Sequence, residues 1–248
     1  MMNSSYERFA AVYDELMQDI PYDQYVNWVK AHAPKEQFPK LLDVGCGTGT
    51  LSLLFHQEGY DVSGIDLSED MLAVAYERLQ TQGVNIPLFN MSMDELEGFS
   101  DLDIVAIPID SINYLAETEA VIETLKRIYD SLREGGQIFF DVHSLFKMDQ
   151  IFMESPFTYD DGEITYLWYT EPGEFEHSVF HQMTFFVKEE GSGLFERFDE
   201  EHFQRTYSIE MYMKWLKEIG FTHIEATADW KNISPSNESE RIFIRAIK

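Results

Sequence analysis

The stretch Leu41 to Thr50, LLDVGCGTGT, constrains this chain more than any other part of it. An apolar run ending in an acid leads into glycines at alternate positions, Gly45, Gly47 and Gly49, and the residues that follow, TLSLLFHQEG, read as a helix. A strand that turns through glycines into a helix places backbone N–H groups and a helix N-terminus beside a ligand at the carboxyl edge of a sheet. Glycine is needed because a Cβ would block that approach. Spacing alone does not name the ligand, since nicotinamide and flavin proteins use G-x-G-x-x-G in this setting for a pyrophosphate. Here Asp43 stands two residues before the first glycine, where a carboxylate would oppose phosphate and suit a positively charged ligand.

From Lys40 onward, strand and helix signals alternate: KLLDV, TLSLLFHQEG, DVSGID, SEDMLAVAYERLQTQG and IPLFN, a βαβαβ order. Ser68 is the expected N-cap of the second helix and Gly83 its stop. DIVAIPI gives the next strand; a helix follows with Val121, Leu125, Ile128 and Leu132 on one face and Gly135-Gly136 as its end, and then strand QIFFDV. Near-continuous apolar strands suit a parallel sheet covered by helices on both faces. Ahead of this core, YERFAAVYDELMQDI and DQYVNWVKAHA read as two short helices separated by Pro21. From residue 144 to 207 aromatic-rich segments, EITYLWYT, HSVFHQMTFFVKE and FERFDEEHFQRTY, predict an antiparallel β insert. A helix capped by Ser208 and stopped by Gly220 then returns the chain to the core, and THIEATADW and RIFIRAIK predict a closing hairpin. The expected organisation is one domain over 1–248: a helical segment 1–35, a core 36–143, an insert 144–207 and a return 208–248.

Charge narrows the partners. With 18 Lys and Arg against 45 Asp and Glu, the net charge of −27 repels phosphate backbones, so nucleic acid is not the expected partner. No run approaches the roughly 20 apolar residues of a membrane span, and MMNSSYERFA lacks the basic and apolar regions of a signal peptide, so a cytoplasmic protein off the membrane is expected. The single cysteine, Cys46, permits no intramolecular disulfide and reads as a small filler in the glycine loop. His177, His181 and His202 are spread over more than one predicted strand without tight ligand spacing, so no metal site is expected and they are assigned to packing or surface.

The glycine stretch resembles the first motif of the class I S-adenosylmethionine-dependent methyltransferases, hhDhGCGTG with h apolar, and the agreement covers Lys40 to Val142. The resemblance implies a Rossmann-like α/β fold: a seven-stranded, mostly parallel sheet with helices on both faces and the final strand antiparallel, plus the small β insert after strand five. It also implies S-adenosyl-L-methionine as cofactor, a sulfonium and an ammonium without phosphate, which agrees with the acid before the loop. Asp43, Gly45, Gly47 and Gly49, with Cys46 among them, would order the loop and the amino acid end of that cofactor. Asp66, ending the second strand, is placed to accept hydrogen bonds from both ribose hydroxyls; Leu67 would pack on adenine, and Met71 joins this set. NMSMDEL sets Ser92 where the family often has an adenine-contacting acid, a departure, and Met93 beside the ring; Ser92 as the start of a turn is the alternative. IPIDSINYL puts the backbone at Ile109 near the methionine part, with Asp110 and Ser111 facing the acceptor. The opening YERFAAVYDEL resembles a lid helix of the glycine and amino-sugar N-methyltransferase branch, with Tyr6, Phe9 and Tyr13 on one stripe and Tyr13 a pocket residue, and the insert would form the far wall of the acceptor pocket.

Methyl transfer is an in-line displacement at a carbon already activated by the sulfonium, so the protein positions a nucleophile and excludes water. A base is needed only when the nucleophile arrives protonated, which leaves no need for a catalytic triad. Asp110 and His143, both at carboxyl ends of strands, are the candidate proton acceptors. The expected function is methylation of a nitrogen or oxygen of a small-molecule acceptor. A protein or RNA acceptor, a non-catalytic cofactor-binding protein and, more remotely, a nicotinamide dehydrogenase are the alternatives, and a homodimer is left open.

Overall fold

The computed structural model describes residues 20–189 and 191–248, so the first of the two expected N-terminal helices, with Tyr6, Phe9 and Tyr13, lies outside the described residues. The described chain opens with helix α1 (Tyr22–His32), to which Pro21 is the N-cap, and enters the sheet at β1 (Lys40–Val44). It continues through α2 (Thr50–Gln57), β2 (Asp61–Asp66), α3 (Glu69–Thr81), β3 (Leu88–Asn90), β4 (Leu102–Ile107), α4 (Thr118–Ser131) and β5 (Leu132–His143). After a second sheet come α5 (Ile209–Ile219), β10 (Thr222–Ala228) and β11 (Arg241–Ile247). The main sheet runs β10-β11-β5-β4-β1-β2-β3, with the first five strands pairing in parallel and β11 antiparallel to both β5 and β10. The order reverses between β1 and β4, and in such sheets a ligand sits at the carboxyl ends of the strands at that reversal.

Alternation along the strands sorts the core into two faces. Leu41, Ile104, Ala106, Phe139 and Phe243 pack beneath α1, α2 and α3. Leu42, Val105, Ile107, Ile138, Phe140 and Ile244 pack beneath α4 and α5. Every residue of β4 is buried, as a central parallel strand covered on both faces requires. The caps at Ser68 and Ser208 form as expected, each side chain accepting the backbone N–H three residues on. One expectation fails: α4 ends at Ser131, and Gly135-Gly136 lies inside β5. The pairing with β4 slips there, and a Cβ on Gly136 would meet carbonyl oxygens of Arg133 and Leu102 at 2.9 and 3.0 Å, so these glycines serve an irregularity in the strand.

The insert is an antiparallel sheet of β6 (Phe157–Asp160), β7 (Ile164–Pro172), β8 (Ser178–Lys188) and β9 (Phe195–Arg205), in that order. Ile164, Phe185 and Phe198 from one of its faces pack on Met71 of α3, with Val74 alongside. That contact tilts the insert over the cofactor-side helix. A π-helical turn, Lys147–Ile151, and a 3₁₀ turn, Phe152–Glu154, join β5 to it.

Candidate active site

The glycine loop earns its composition at two positions. Gly45 has φ +71° and a Cβ there would lie 2.8 Å from Ser111 Cβ; Gly49, at φ +74°, is the N-cap of α2, and its Cβ would lie 3.1 Å from Ala75 Cβ. The loop differs from a phosphate nest. Gly45 and Cys46 donate to Ile65 O at 2.8 and 3.0 Å, Gly47 donates to Asp66 Oδ2 at 2.7 Å, and Gly49 donates to Cys46 O at 2.9 Å. Those four amides therefore point into the protein, and the glycines supply close approach in place of free donors.

Two aspartates fit a cationic nucleoside. Asp66 accepts Gly47 N–H on Oδ2 and Ser68 N–H at 2.8 Å on Oδ1; burial raises its pKa despite both amides. Each oxygen keeps a lone pair for a ligand hydroxyl. Asp43 is 0% exposed beneath the loop, takes the Ser52 hydroxyl at 2.5 Å on Oδ2, and leaves Oδ1 without a hydrogen-bond partner among the described residues. Burial pushes its carboxyl up to about 7. An orphaned carboxylate oxygen of this kind is what a cation resolves.

Above the loop opens a cavity of about 770 Å³. Eleven expected site residues line it: Gly45, Gly47, Asp66, Leu67, Met71, Ser92, Met93, Ile109, Asp110, Ser111 and His143. Asp43 and Gly49 stand off its wall, Cys46 lines a smaller cleft of about 40 Å³ against Tyr22, and Tyr13 lies outside the described residues. Leu67 is 71% exposed on the rim, an apolar side chain that a stacked base would cover. Ser92 donates its hydroxyl to the Asp94 carboxylate and precedes the 3₁₀ turn Met93–Glu95, so it both starts a turn and faces the cavity.

At the ends of β4 and β5 sits a charged cluster that motif reading reached only in part. Ile109 and Asp110 both have left-handed backbone, φ +53° and +50°, a strained state for a β-branched residue. Their N–H groups donate to the two carboxylate oxygens of Asp141, at 2.7 and 3.1 Å, which holds the turn. Arg241 at the start of β11 then bridges both acids, Nη1 to Asp141 and Nη2 to Asp110 at 2.6 Å. Asp110 also takes Gln204 Nε2 at 2.9 Å and stands 3.2 Å from His143 Nε2. Burial opposes ionisation of Asp110, yet His143, Arg241 and Lys147 together hold it well below the usual carboxylate range. Burial pushes His143 down to about 4 against the pull of Asp110, so the imidazole is neutral at pH 7. A carboxylate only accepts; the His143 proton therefore sits on Nε2, and the lone pair on Nδ1, which is buried and without a hydrogen-bond partner among the described residues.

The insert contributes Tyr166, Trp168, His181, Met183, His202 and Gln204 to the cavity wall, all from one face of β7, β8 and β9. Trp168 Nε1 donates to His181 Nδ1 at 3.0 Å, and burial lowers the His181 pKa to about 3. His181 and His202 thus belong to the cavity, a correction to the packing or surface role expected of them; His177 lies apart, 2.8 Å from Asp149. Asp141, Arg241, Gln204 and Lys147 were not singled out from the sequence either. A charged residue inside the apolar run QIFFDV was the available signal for Asp141, and Arg241 opening RIFIRAIK was the one for its partner.

A Rossmann-like sheet in this strand order, with a glycine loop, a ribose-ready aspartate and a phosphate-free design, defines the class I S-adenosylmethionine-dependent methyltransferases. Comparison agrees: residues 41–136 match the methyltransferase domain family. A protein of Geobacillus sp. (strain WCH70) named as a methyltransferase is 47% identical over 98% of this chain and 100% of its own. An S-adenosylmethionine-dependent methyltransferase structure from Clostridium acetobutylicum ATCC 824 superposes with TM-score 0.87 at 27% identity, covering 98% of this chain and 99% of that one. The sugar N-methyltransferase KedS8 from Streptoalloteichus sp. ATCC 53650 shares the fold at TM-score 0.75 and 17% identity over 100% and 94% of the two chains. The chain belongs to the S-adenosylmethionine-dependent methyltransferase family, and S-adenosyl-L-methionine is its cofactor.

Proposed function

We propose that this methyltransferase acts on a nitrogen or oxygen of a small molecule held between the carboxyl edge of the main sheet and the aromatic face of the insert. The carrying observation is the insert itself, which turns an open sheet edge into a cavity of about 770 Å³, within the range of small-molecule sites. Asp66 takes the ribose hydroxyls, Leu67 and Met93 flank the adenine, Asp43 balances the ammonium across the glycine loop, and the strained turn at Ile109 carries the methionine part. Bound S-adenosylmethionine supplies a methyl carbon already activated for displacement. The protein then has to align the acceptor lone pair and exclude water, and the walls of Trp168, Phe152 and Met183 do both.

His143 is the better of the two proton acceptors. Its Nδ1 lone pair is uncommitted, whereas Asp110, ionised and bonded to three side chains, is a weak base that fixes the tautomer of His143. A neutral amine or a hydroxyl of the acceptor would attack the methyl carbon, the C–S bond would break to leave S-adenosylhomocysteine, and the proton shed by the attacking atom would pass to His143. Incubation with tritium-methyl cofactor and a low-molecular-mass metabolite fraction tests the reading: label is expected in a small product, and label found only in added protein or RNA would overturn it.

A further inference from the structure

We propose that Lys147 forms an oxyanion subsite in the acceptor cavity, so that the methyl acceptor is a small molecule carrying a carboxylate or phosphate group. The proposal rests on the small-molecule reading above and adds a substrate class to it.

Lys147 lies on the cavity wall, in the π-helical turn that leaves β5 one turn beyond His143. The other charged groups of the cluster are in contact: Arg241 with Asp110 and Asp141, and Asp110 with His143 and Gln204. Lys147 Nζ has no ion pair or hydrogen bond among the described residues. Its neighbour is the ring face of Phe152, 5.4 Å from Nζ to centroid, and that ring also meets His143 at 5.2 Å and His181 at 4.9 Å. A half-buried ammonium resting on an aromatic face is held by a weak partner and keeps its donors for something else. Burial lowers its pKa, and the charged groups facing it are Arg241, which adds to that effect, and Asp110, Glu240 and Asp141, which oppose it.

The sulfonium of bound S-adenosylmethionine adds a positive charge to the cavity that Lys147 lines, so an acceptor bearing a negative group is attracted by both. In a chain of net charge −27, which repels anions at long range, an ammonium that forms no ion pair among the described residues is a local exception suited to selecting one.

The test uses the full chain loaded with S-adenosylhomocysteine, comparing wild type with Lys147→Met and Lys147→Arg by thermal shift at equal ionic strength. Acetate and inorganic phosphate are the anionic probes and acetamide the neutral control. Acetate or phosphate is expected to raise the wild-type midpoint where acetamide does not, with the larger response telling carboxylate from phosphate. Lys147→Met should lose that response, Lys147→Arg should keep part of it, and both should bind S-adenosylhomocysteine as wild type does. In tritium labelling, the product should be retained on an anion exchanger, and Lys147→Met should lower labelling about tenfold or more, the scale of one charge-assisted hydrogen bond. Equal responses to acetamide and both anions in wild type would overturn the subsite, as would an unretained product. A loss of S-adenosylhomocysteine affinity in Lys147→Met would also overturn it, by assigning the ammonium to the cofactor carboxylate. An anion response that depends on Lys147 with no small labelled product would instead sink the small-molecule reading and leave the subsite standing.

Discussion

The cofactor side and the acceptor side of this cavity are built by different means. On the cofactor side the key contacts are backbone to side chain within one βαβ unit: Gly47 N–H reaches Asp66 across 19 positions, and Ser68 N–H reaches the same carboxylate across two. On the acceptor side they are side chain to side chain from remote strands: Gln204 reaches Asp110 across 94 positions and Arg241 reaches Asp141 across 100. A local turn can be specified by a short motif because steric rules fix its geometry. A charge cluster needs the whole sheet in register before any of its members meets another.

Substitutions should separate the two halves. The largest effect is expected from Arg241→Met, which strands two buried carboxylates; loss of a buried ion-pair partner costs about 3–5 kcal/mol, read as a lower denaturation midpoint. Next, Asp66→Ala should leave the acceptor cluster intact and weaken S-adenosylhomocysteine by about tenfold or more per lost hydroxyl contact, measured by calorimetry. An unchanged dissociation constant would place the ribose elsewhere. Smaller again is a contrast within the loop. At Gly47, φ +54°, a Cβ meets nothing within 4 Å in the protein, so Gly47→Ala should cost about 1–2 kcal/mol of stability for its left-handed backbone. Gly45→Ala adds the Ser111 clash and should cost more. If the new methyl at Gly47 protrudes into ligand space, cofactor affinity will fall by more than stability does.

Much of the cofactor side was legible in the sequence, and the reason is local. LLDVGCGTGT and Asp66 are set by strand, turn and cap, each readable from neighbours, and the two-faced alternation of β1, β4 and β5 follows from apolar runs. The acceptor side was legible only as a position. Asp110 and His143 could be placed at strand ends, but what they are bonded to depends on β9 and β11 arriving beside them. The aromatic strands of the insert read as strands; which face would meet α3 was decided by the packing of Met71 against Ile164, Phe185 and Phe198. That choice of face puts His181 and His202 on the cavity, whereas His177 falls in the turn before β8, at φ +57°.

Two subtler measurements sharpen the comparison. Asp43 has a pKa near 7 where the unfolded chain has about 3.8, so burial favours its protonated form, and its contribution to stability, present below the unfolded value, is lost as pH rises through 7. A cofactor ammonium favours the ionised form, so S-adenosylhomocysteine affinity should weaken as pH falls below about 7, and Asp43→Asn should flatten that profile. The smallest effect is on the insert: Trp168→Phe removes one hydrogen bond to His181, about 1 kcal/mol, and should alter acceptor labelling while leaving cofactor binding unchanged.

The position of Arg241 in the chain has a consequence for biosynthesis. As the polypeptide emerges from the ribosome, β1 to β5 and the glycine loop are available long before β11, and during that interval Asp110 and Asp141 face each other with no guanidinium between them. Two buried acids without their shared guanidinium repel each other, so this part of the site is electrostatically complete only once the closing hairpin has docked.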